Sequence, residues 1–215
     1  MKKILIFCIL AIIFISGCTS NQQRQESAQK ITTKESSELA LQLSDFPIIT
    51  TNWTLKERTE RVKSELNNES LGLGWKKGYR VTYYRIGSLI DTTAIQQLIS
   101  FYPLENITKT LNKSDDSFYG SWKKFSELTR KYNLTSSDNG YIQIDDLSDP
   151  GIGDESFAYR IVCNISSLPI EDCKGTHYYI EFRKLNVYEM LVMSGGTLDY
   201  ELLKEMAKKA EEKIV

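Results

Sequence analysis

The sequence predicts a single α+β domain in which helices pack on an antiparallel sheet. Two observations support this prediction. Strand-like segments follow one another directly near the C-terminus, and the chain then ends in an amphipathic helix. Strands in runs, with helices kept apart from them, are typical of α+β proteins rather than of a parallel doubly wound sheet. The three C-terminal segments, expected to be consecutive antiparallel strands, are FAYRIVC, HYYIEFR and NVYEMLVM.

Earlier segments also have strand patterns. In YRVTYYRI, the residues Tyr79, Val81 and Tyr83 alternate with a second set of side chains, and Gly78 and Gly87 flank the segment. Such alternation, bounded by glycines, predicts a strand with two different faces. The other segments predicted to be strands are NWTLKERTE, AIQQLISFYP and YIQI.

Three helices are predicted from apolar residues at helical spacing. The first, LENITKTLN, places Leu104, Ile107 and Leu111 on one stripe. The second, SWKKFSELTRKY, has Ser121 as a candidate cap and an apolar stripe formed by Trp122, Phe125, Leu128 and Tyr132.

The third helix closes the chain, and Asp199 is placed to cap it, because a short acidic side chain can accept hydrogen bonds from the first backbone N–H groups. Lysines gather near its end, where the helix dipole favours positive charge. Its predicted apolar stripe consists of Leu202, Leu203, Met206, Ala210 and Ile214.

The first 18 residues have the layout of an export signal. Lys2 and Lys3 precede an apolar run over residues 4–15, which is shorter than the about 20 residues that a membrane span requires. The run leads into ISGC, which resembles the lipobox of prokaryotic lipoproteins. That resemblance implies that residues 1–17 are a removed signal peptide and that Cys18 carries a thioether-linked lipid. The alternatives are an ordinary signal peptide with a chance cysteine and a true membrane span.

Residues 18–40 are predicted to be the lipidated cysteine and a disordered tether, because this segment has no aromatic and few large aliphatic side chains to bury. Residues 41–215 are predicted to be one extracytoplasmic domain, since apolar residues recur to the end. Loss of Lys2 and Lys3 from the 27 basic residues leaves a small excess of acidic residues, which number 28. We therefore expect no nucleic-acid partner.

A second resemblance covers most of the chain from residue 41. Its segments are DFPI, GYRVTY, IGDESFAYR, YYIEFRKLNVYEMLVMSG and LLKEMAKKAEEKI. Their succession resembles a class of uncharacterised prokaryotic lipoproteins and is similar in outline to PsbP/Mog1-like domains. The resemblance implies an antiparallel sheet packed by helices, a binding or assembly role and no known catalytic residues. Leu185 in RKLN stands where a glycine is usual, which leaves the type of that turn open.

Two cysteines lie beyond the export signal and the lipobox, Cys163 and Cys173. An even number of cysteines in an exported domain predicts a disulfide. It would close a loop of about 10 residues and stabilise the fold by roughly 3 kcal/mol. The alternative is two free thiols. A structural zinc site has little support, because it needs four ligands and the chain has one histidine.

Six of the ten asparagines begin an Asn-x-Ser/Thr sequence, which is more than the composition alone would give. This excess suggests N-glycan acceptors on an exported surface. Together with the lipobox, it points to an archaeal cell surface. The alternative is drift in a sequence rich in serine and threonine. The glycosylation candidates are Asn52, Asn68, Asn106, Asn112, Asn133 and Asn164.

No catalytic set is predicted. His177, the single histidine, begins a strand without an accompanying nucleophile motif and is interpreted as a surface or strand-end residue. The acidic stretch IDDLSDPGIGDES could offer oxygen ligands to calcium, but its spacing does not fit an EF-hand. A turn whose acids bond to nearby backbone amides is favoured instead. The weak metal candidates are Asp145, Asp146, Asp149 and Asp154.

The sequence therefore predicts a lipid-anchored protein on the extracytoplasmic face of the cell membrane, with a non-enzymatic binding or accessory role and no cofactor. Its expected partners are the membrane, through the lipid, and another envelope protein. Two alternatives remain open. One is a small-ligand or calcium-binding module, and the other is an envelope hydrolase whose paired carboxylates a sequence does not reveal.

Overall fold

The computed structural model describes residues 31–47, 52–88, 91–111, 117–131, 141–164 and 175–215. The predicted signal peptide, Cys18, Cys173, Asn112 and Asn133 lie outside these ranges. Seven strands are described: β1 (Trp53–Glu60), β2 (Lys77–Ser88), β3 (Asp91–Phe101), β4 (Tyr141–Asp146), β5 (Glu155–Asn164), β6 (Gly175–Lys184) and β7 (Val187–Gly195). Four α-helices are described: α1 (Asn68–Gly72), α2 (Leu104–Ile107), α3 (Phe118–Lys131) and α4 (Tyr200–Ile214).

The seven strands form one antiparallel sheet with the order β1-β2-β3-β7-β6-β5-β4. Two meanders, β1 to β3 and β4 to β7, are joined where β3 pairs with β7, from Thr93 opposite Gly195 to Phe101 opposite Val187. The three C-terminal segments pair as consecutive neighbours, as predicted. The α+β class and the antiparallel sheet packed by helices are therefore confirmed.

The first face of the sheet carries the larger core, because alternate residues of the central strands are aliphatic. Ile95, Ile180 and Leu191 are fully buried there. Helix α4 covers this face against β6 and β7. Asp199 caps α4 as predicted, since its Oδ1 accepts a hydrogen bond from the backbone N–H of Leu202 at 3.0 Å. All five residues of the predicted stripe are buried.

The folded domain begins earlier than the sequence suggests. Its compact unit starts at Ile31 rather than at residue 41, and Leu39, Ala40 and Leu41 are fully buried in the first-face core. The predicted disordered tether is therefore corrected for residues 31–40. Three adjacent apolar residues are too few to show a periodic pattern, and it is the sheet that gives them a place to be buried.

A buried polar pair holds this segment on the sheet. Gln97 and Glu189 are both fully buried, and Nε2 of Gln97 donates a hydrogen bond to Oε2 of Glu189 at 2.7 Å. The backbone N–H of Leu41 donates to Oε1 of Gln97 at 2.8 Å, and the Tyr83 hydroxyl donates to the carbonyl oxygen of Leu41 at 2.8 Å. Burial raises the pKa of Glu189 to about 8, against the opposing effects of Gln97 and Lys213.

The second face of the sheet is largely aromatic toward β5 and β6. The rings of Tyr159 and Tyr179 stack 4.8 Å apart, and Tyr119 of α3 meets Tyr159 edge-on at 5.1 Å. The Ser126 hydroxyl of α3 donates to the carbonyl oxygen of Ile142 in β4 at 2.8 Å. Helix α3 thus covers the β4 end of this face. It does not cover the centre of the face.

Helix α3 differs from the prediction in its start and in its buried side. It begins at Phe118 rather than after Ser121, and the Ser117 hydroxyl accepts a hydrogen bond from the N–H of Gly120 at 2.9 Å. Leu128, a member of the predicted stripe, is 39% exposed. The buried side includes small polar residues that make hydrogen bonds, which an apolar pattern does not reveal: Ser126 and Thr129.

The helix predicted over LENITKTLN is a single short turn, α2. The Thr110 hydroxyl donates to the carbonyl oxygen of Ile107 at 2.7 Å, and such a local bond competes with helix continuation.

In the turn between β6 and β7, Leu185 has a φ of 56°, a region that glycine normally occupies. The N–H of Leu185 donates to Oδ2 of Asp154 at 2.9 Å, which fixes this turn against the loop before β5.

Candidate functional site

A cleft of about 390 Å³ opens on the second face above β2, β3, β7 and β6. Its walls come from the segment between β1 and α1, from α1 itself and from the start of α3. The volume lies within the about 300–1,000 Å³ that is typical of small-molecule sites. The cleft is therefore the leading candidate for a ligand site in the described part of the chain.

The strand register places four residues in one row across the floor of the cleft. Arg80 lies opposite Leu98, Leu98 opposite Met190, and Met190 opposite Glu181. Because neighbouring strands are about 4.8 Å apart, the backbone positions of Arg80 and Glu181 are roughly 14 Å apart. The floor thus has a cationic end, an apolar middle and an anionic end.

Arg61, which follows β1, adds a second guanidinium to the cationic end. Its side chain is 13% exposed, and its Nη1 donates to Oγ of Ser100 at 2.8 Å. Nε of Arg61 lies 3.9 Å from Oε2 of Glu65 and has no hydrogen-bond partner among the described residues. Arg80 hydrogen-bonds that same oxygen of Glu65 through Nη2. The two guanidiniums therefore share one carboxylate, and Arg80 holds it.

The electrostatics of Arg61 agree with this arrangement. Burial is the main effect that lowers the pKa of Arg61, and the nearby charge of Arg80 lowers it further, while Tyr102 and Glu65 act in the opposite direction. The guanidinium is thus largely desolvated and only partly compensated. Burial raises the pKa of Tyr102, and hydrogen bonds with Ser70 and Ser100 and the charge of Arg61 oppose that rise.

Glu181 forms the anionic end and is 4% exposed. Its Oε1 accepts a hydrogen bond from the Tyr159 hydroxyl and its Oε2 accepts one from the Tyr188 hydroxyl, each at 2.7 Å. Burial and then the charge of Glu181 raise the pKa of both tyrosines well above the ordinary value. Both hydroxyls therefore stay protonated at neutral pH and hold the carboxyl group in a fixed orientation.

The groups that converge on the cleft are guanidinium, hydroxyl, phenol and carboxyl groups around an apolar floor. Such a set orients a small molecule by hydrogen bonds and charge while the floor buries its apolar part. Within the residues that the structure describes, no group of three His, Cys, Asp or Glu side chains could hold a metal ion.

The predicted acidic candidates lie away from the cleft, and each has a protein partner. Asp145 accepts hydrogen bonds from the Arg160 guanidinium, with the shorter at 2.6 Å, and from Gln143. These bonds, that of Gln143 first, lower the pKa of Asp145. The Tyr119 hydroxyl donates to Asp146 at 2.9 Å. These two carboxylates are thus used in the fold.

The other two acids stabilise turns. Asp149 accepts from the N–H of Gly151 at 2.9 Å and from the Ser156 hydroxyl at 2.7 Å, and these bonds lower the pKa of Asp149. Asp154 accepts from the N–H of Leu185. The arrangement favours the predicted turn with acids bonded to nearby groups over a calcium loop.

The predicted modification sites are only partly visible. Cys163 is 2% exposed and disulfide-bonded, but its predicted partner Cys173 lies outside the described residues, so the pairing stays a prediction. Asn52, Asn68 and Asn164 are exposed. The side-chain amide of Asn106 donates to the carbonyl oxygen of Leu73 at 3.2 Å, which makes it the poorest glycan acceptor of the four described candidates.

His177 corrects another expectation, because only 9% of it is exposed. Its ring lies 6.4 Å from the ring of Tyr179 on the second face. It thus lies on the opposite face of β6 from Tyr178, Ile180 and Phe182. Its interpretation as a surface residue is wrong, because the side chain is buried, whereas its position two residues after the start of β6 agrees with the strand-end alternative.

None of the predicted site residues that the structure describes lines the cleft. Arg61, Arg80 and Glu181 were missed, although one signal was present. In HYYIEFR, Tyr178, Ile180 and Phe182 occupy one face, so that the opposite face carries a charged Glu181 in an otherwise apolar strand. Charged residues are seldom fully buried unless they are paired, so a glutamate at this position of the strand indicates a site residue.

The comparisons with known proteins give a structural similarity and no family. No family model matches the chain, and no curated protein matches it in sequence. The structure is similar to that of an uncharacterised protein from Mycobacterium smegmatis, an Rv0999 ortholog, with 11% identity and a TM-score of 0.46 over 84% of this chain and 96% of that one. No described helix is long and apolar enough to cross a membrane.

Proposed function

We propose that this chain is a lipid-anchored, extracytoplasmic binding protein that takes a small ligand in the cleft of the second face without transforming it. The lipobox and the sequons support an archaeal lipoprotein on the outer side of the membrane, and the sheet packed by helices is compatible with the PsbP/Mog1-like outline. An envelope protein that receives or senses the loaded form stays part of the proposal as the predicted partner.

The observation that carries this proposal is the incompletely paired guanidinium of Arg61 beside an open, apolar floor. A charge taken out of water is costly unless hydrogen bonds and an opposite charge compensate it. Arg61 has a neutral hydroxyl partner and a carboxylate at 3.9 Å that binds Arg80 more closely. A ligand that fills the cleft would supply the missing partner.

Filling the cleft is expected to abolish ligand binding. Gln96 lies on the floor of the cleft, whereas Ala94, on the same face of β3, is not part of its lining. We expect Gln96→Trp to fill the site and Ala94→Trp to leave it open. The measurement is thermal unfolding of the purified full chain with the fraction below about 1 kDa from cells that make the protein.

A ligand at 100 times its dissociation constant stabilises by about 2.7 kcal/mol, which raises the melting temperature of a domain of this size by about 5–10 °C. We expect this rise in the natural chain and in Ala94→Trp, and no rise in Gln96→Trp. An equal rise in both tryptophan variants would place the ligand elsewhere. No rise in the natural chain would argue against a small-ligand role.

The anchor has its own test in the variant Cys18→Ser. Each buried methylene of a lipid chain contributes about 0.8 kcal/mol, so we expect the natural protein to sediment with membranes and to need detergent for release. Cys18→Ser is expected to appear in the fraction that is not bound to membranes. If this variant, once shown to lack residues 1–17, still sediments with membranes and resists salt washing, the lipid anchor is wrong.

A further inference from the structure

We infer that the ligand is a monocarboxylate with an apolar body, bound through its carboxylate to Arg61 and through its body to the floor formed by Leu98 and Met190. This inference rests on the proposed function, because it names the ligand class of the same cleft.

The geometry of Arg61 favours a planar anion. A guanidinium offers five N–H donors in a rigid fork that matches two carboxylate oxygens. Nη1 is bonded to Ser100, and Nε has no hydrogen-bond partner in the described part of the chain. Glu65 does not complete the fork, because its Oε2 is 3.9 Å from Nε and hydrogen-bonds Arg80. Because Nε is itself buried, an incoming carboxylate reaches it only when neighbouring side chains such as Glu65 move aside.

The charge around the cleft selects a singly charged ligand. Three carboxyl groups line it together with the two guanidiniums, so a doubly charged phosphate would meet repulsion from several sides. These carboxyl groups belong to Glu65, Glu69 and Glu181. Glu181 is fixed by two tyrosine hydroxyls at the far end of the floor, which directs an anionic group toward Arg61 instead.

The floor selects an apolar body. Leu98 and Met190 lie side by side between Arg80 and Glu181, and the Phe118 ring, which is 39% exposed, stands at the rim. A chain of a few carbons or one aromatic ring covers these side chains and fits a volume of about 390 Å³. Methionine adapts to such bodies because its side chain is flexible and polarisable.

The test compares two acids with their uncharged analogues. Hexanoate and 3-phenylpropionate, and the primary amide of each, are titrated calorimetrically into the full chain at neutral pH. We expect at least one acid to bind and its amide to bind about tenfold to hundredfold more weakly, since hydrogen bonds to charged groups contribute more than neutral ones. Arg61→Gln is expected to weaken binding of the acid by a similar factor and to leave binding of the amide unchanged.

Two further variants separate the fork from the charge. Arg61→Lys keeps the charge but loses the fork, and we expect intermediate affinity. Arg85→Gln removes one positive charge from β2 outside the lining of the cleft, and we expect unchanged affinity. Thermal unfolding without ligand checks that each variant is folded. If Arg61→Gln does not fold, the comparison between acid and amide on the natural chain and on Arg61→Lys still decides.

Several results would overturn the inference. They are equal affinity for acid and amide, undiminished affinity of Arg61→Gln for the acid, or no binding of either acid at millimolar concentration. If the cell fraction still raises the melting temperature of the natural chain and not that of Gln96→Trp, the ligand site survives and only its chemical class is wrong. If that rise is also absent, the proposed function fails as well.

Discussion

Replacing Glu189 with glutamine is expected to stabilise the protein by an amount that grows with pH. The folded state raises the pKa of Glu189 from an ordinary value of 4.5 to about 8, chiefly through burial. Glutamine is close in shape to the protonated acid and can still accept the hydrogen bond from Gln97 through its side-chain oxygen. The substitution therefore keeps the shape of the buried pair and removes its ability to ionise.

The sign of the change in stability with pH follows from proton linkage. Below about pH 4.5 both states hold the proton, so the contribution of Glu189 to stability is fully present. Between 4.5 and about 8 only the unfolded state loses the proton, and stability falls as pH rises. Each pKa unit corresponds to 1.36 kcal/mol, which gives an advantage for glutamine of about 3 kcal/mol at pH 7 and about 5 kcal/mol above pH 8.

Chemical denaturation from pH 4 to pH 9 measures this effect as the difference in unfolding free energy between Glu189→Gln and the natural chain. Glu205→Gln, on the exposed side of α4, is the matched control for the loss of one carboxyl group. A difference that does not change with pH, or one that favours the natural chain at pH 8, would show that Glu189 is ionised in the fold.

Replacing Leu39 with alanine is expected to destabilise the fold by about 2–5 kcal/mol, the range for a fully buried leucine. Leu39 is fully buried, whereas the nearby Leu43 is 50% exposed. We therefore expect Leu43→Ala to change stability by no more than about 0.5 kcal/mol. If residues up to 40 were a free tether, both substitutions would be silent in thermal or urea unfolding of the full chain.

A loss of stability only in Leu39→Ala would place the start of the domain before residue 39. Equal behaviour of the two variants would restore the boundary predicted from composition. This prediction and that for Glu189 concern opposite sides of one contact, because Gln97 bonds both Glu189 and the backbone of Leu41. The two substituted residues are close enough to interact, so the effects of Leu39→Ala and Glu189→Gln on stability are not expected to add in a double variant.

The presence of the strands and the α+β fold class were predictable, because alternating side chains and turn residues are features of short stretches of sequence. The β5 to β7 meander and the capped helix α4 were predicted for that reason. The starts of the domain and of α3 were not, because they depend on distant partners. Leu39 is buried by a sheet whose strands come later in the chain. Helix α3 turns Ser126 inward because the backbone of β4 offers it an acceptor.

The cleft was not predictable from local patterns. Its cationic end follows β1, whereas its anionic end lies more than 100 residues later in β6. They share a floor because β3 pairs with β7, and because the register aligns Arg80, Leu98, Met190 and Glu181. A shift of the register by one residue would move each of these side chains to the other face, and strand order and register were not apparent from this sequence.

The methionine methyl groups report on whether the cleft of the second face binds a ligand. Met190 lies on the floor of the cleft, whereas Met193 and Met206 lie in the first-face core. In a full chain labelled with ¹³C in its methionine methyl groups, the fraction below about 1 kDa from the cells that make the protein is expected to shift the Met190 signal and leave the other two in place. Shifts confined to Met193 and Met206, or no shift at any of the three, would show that the cleft is not the ligand site.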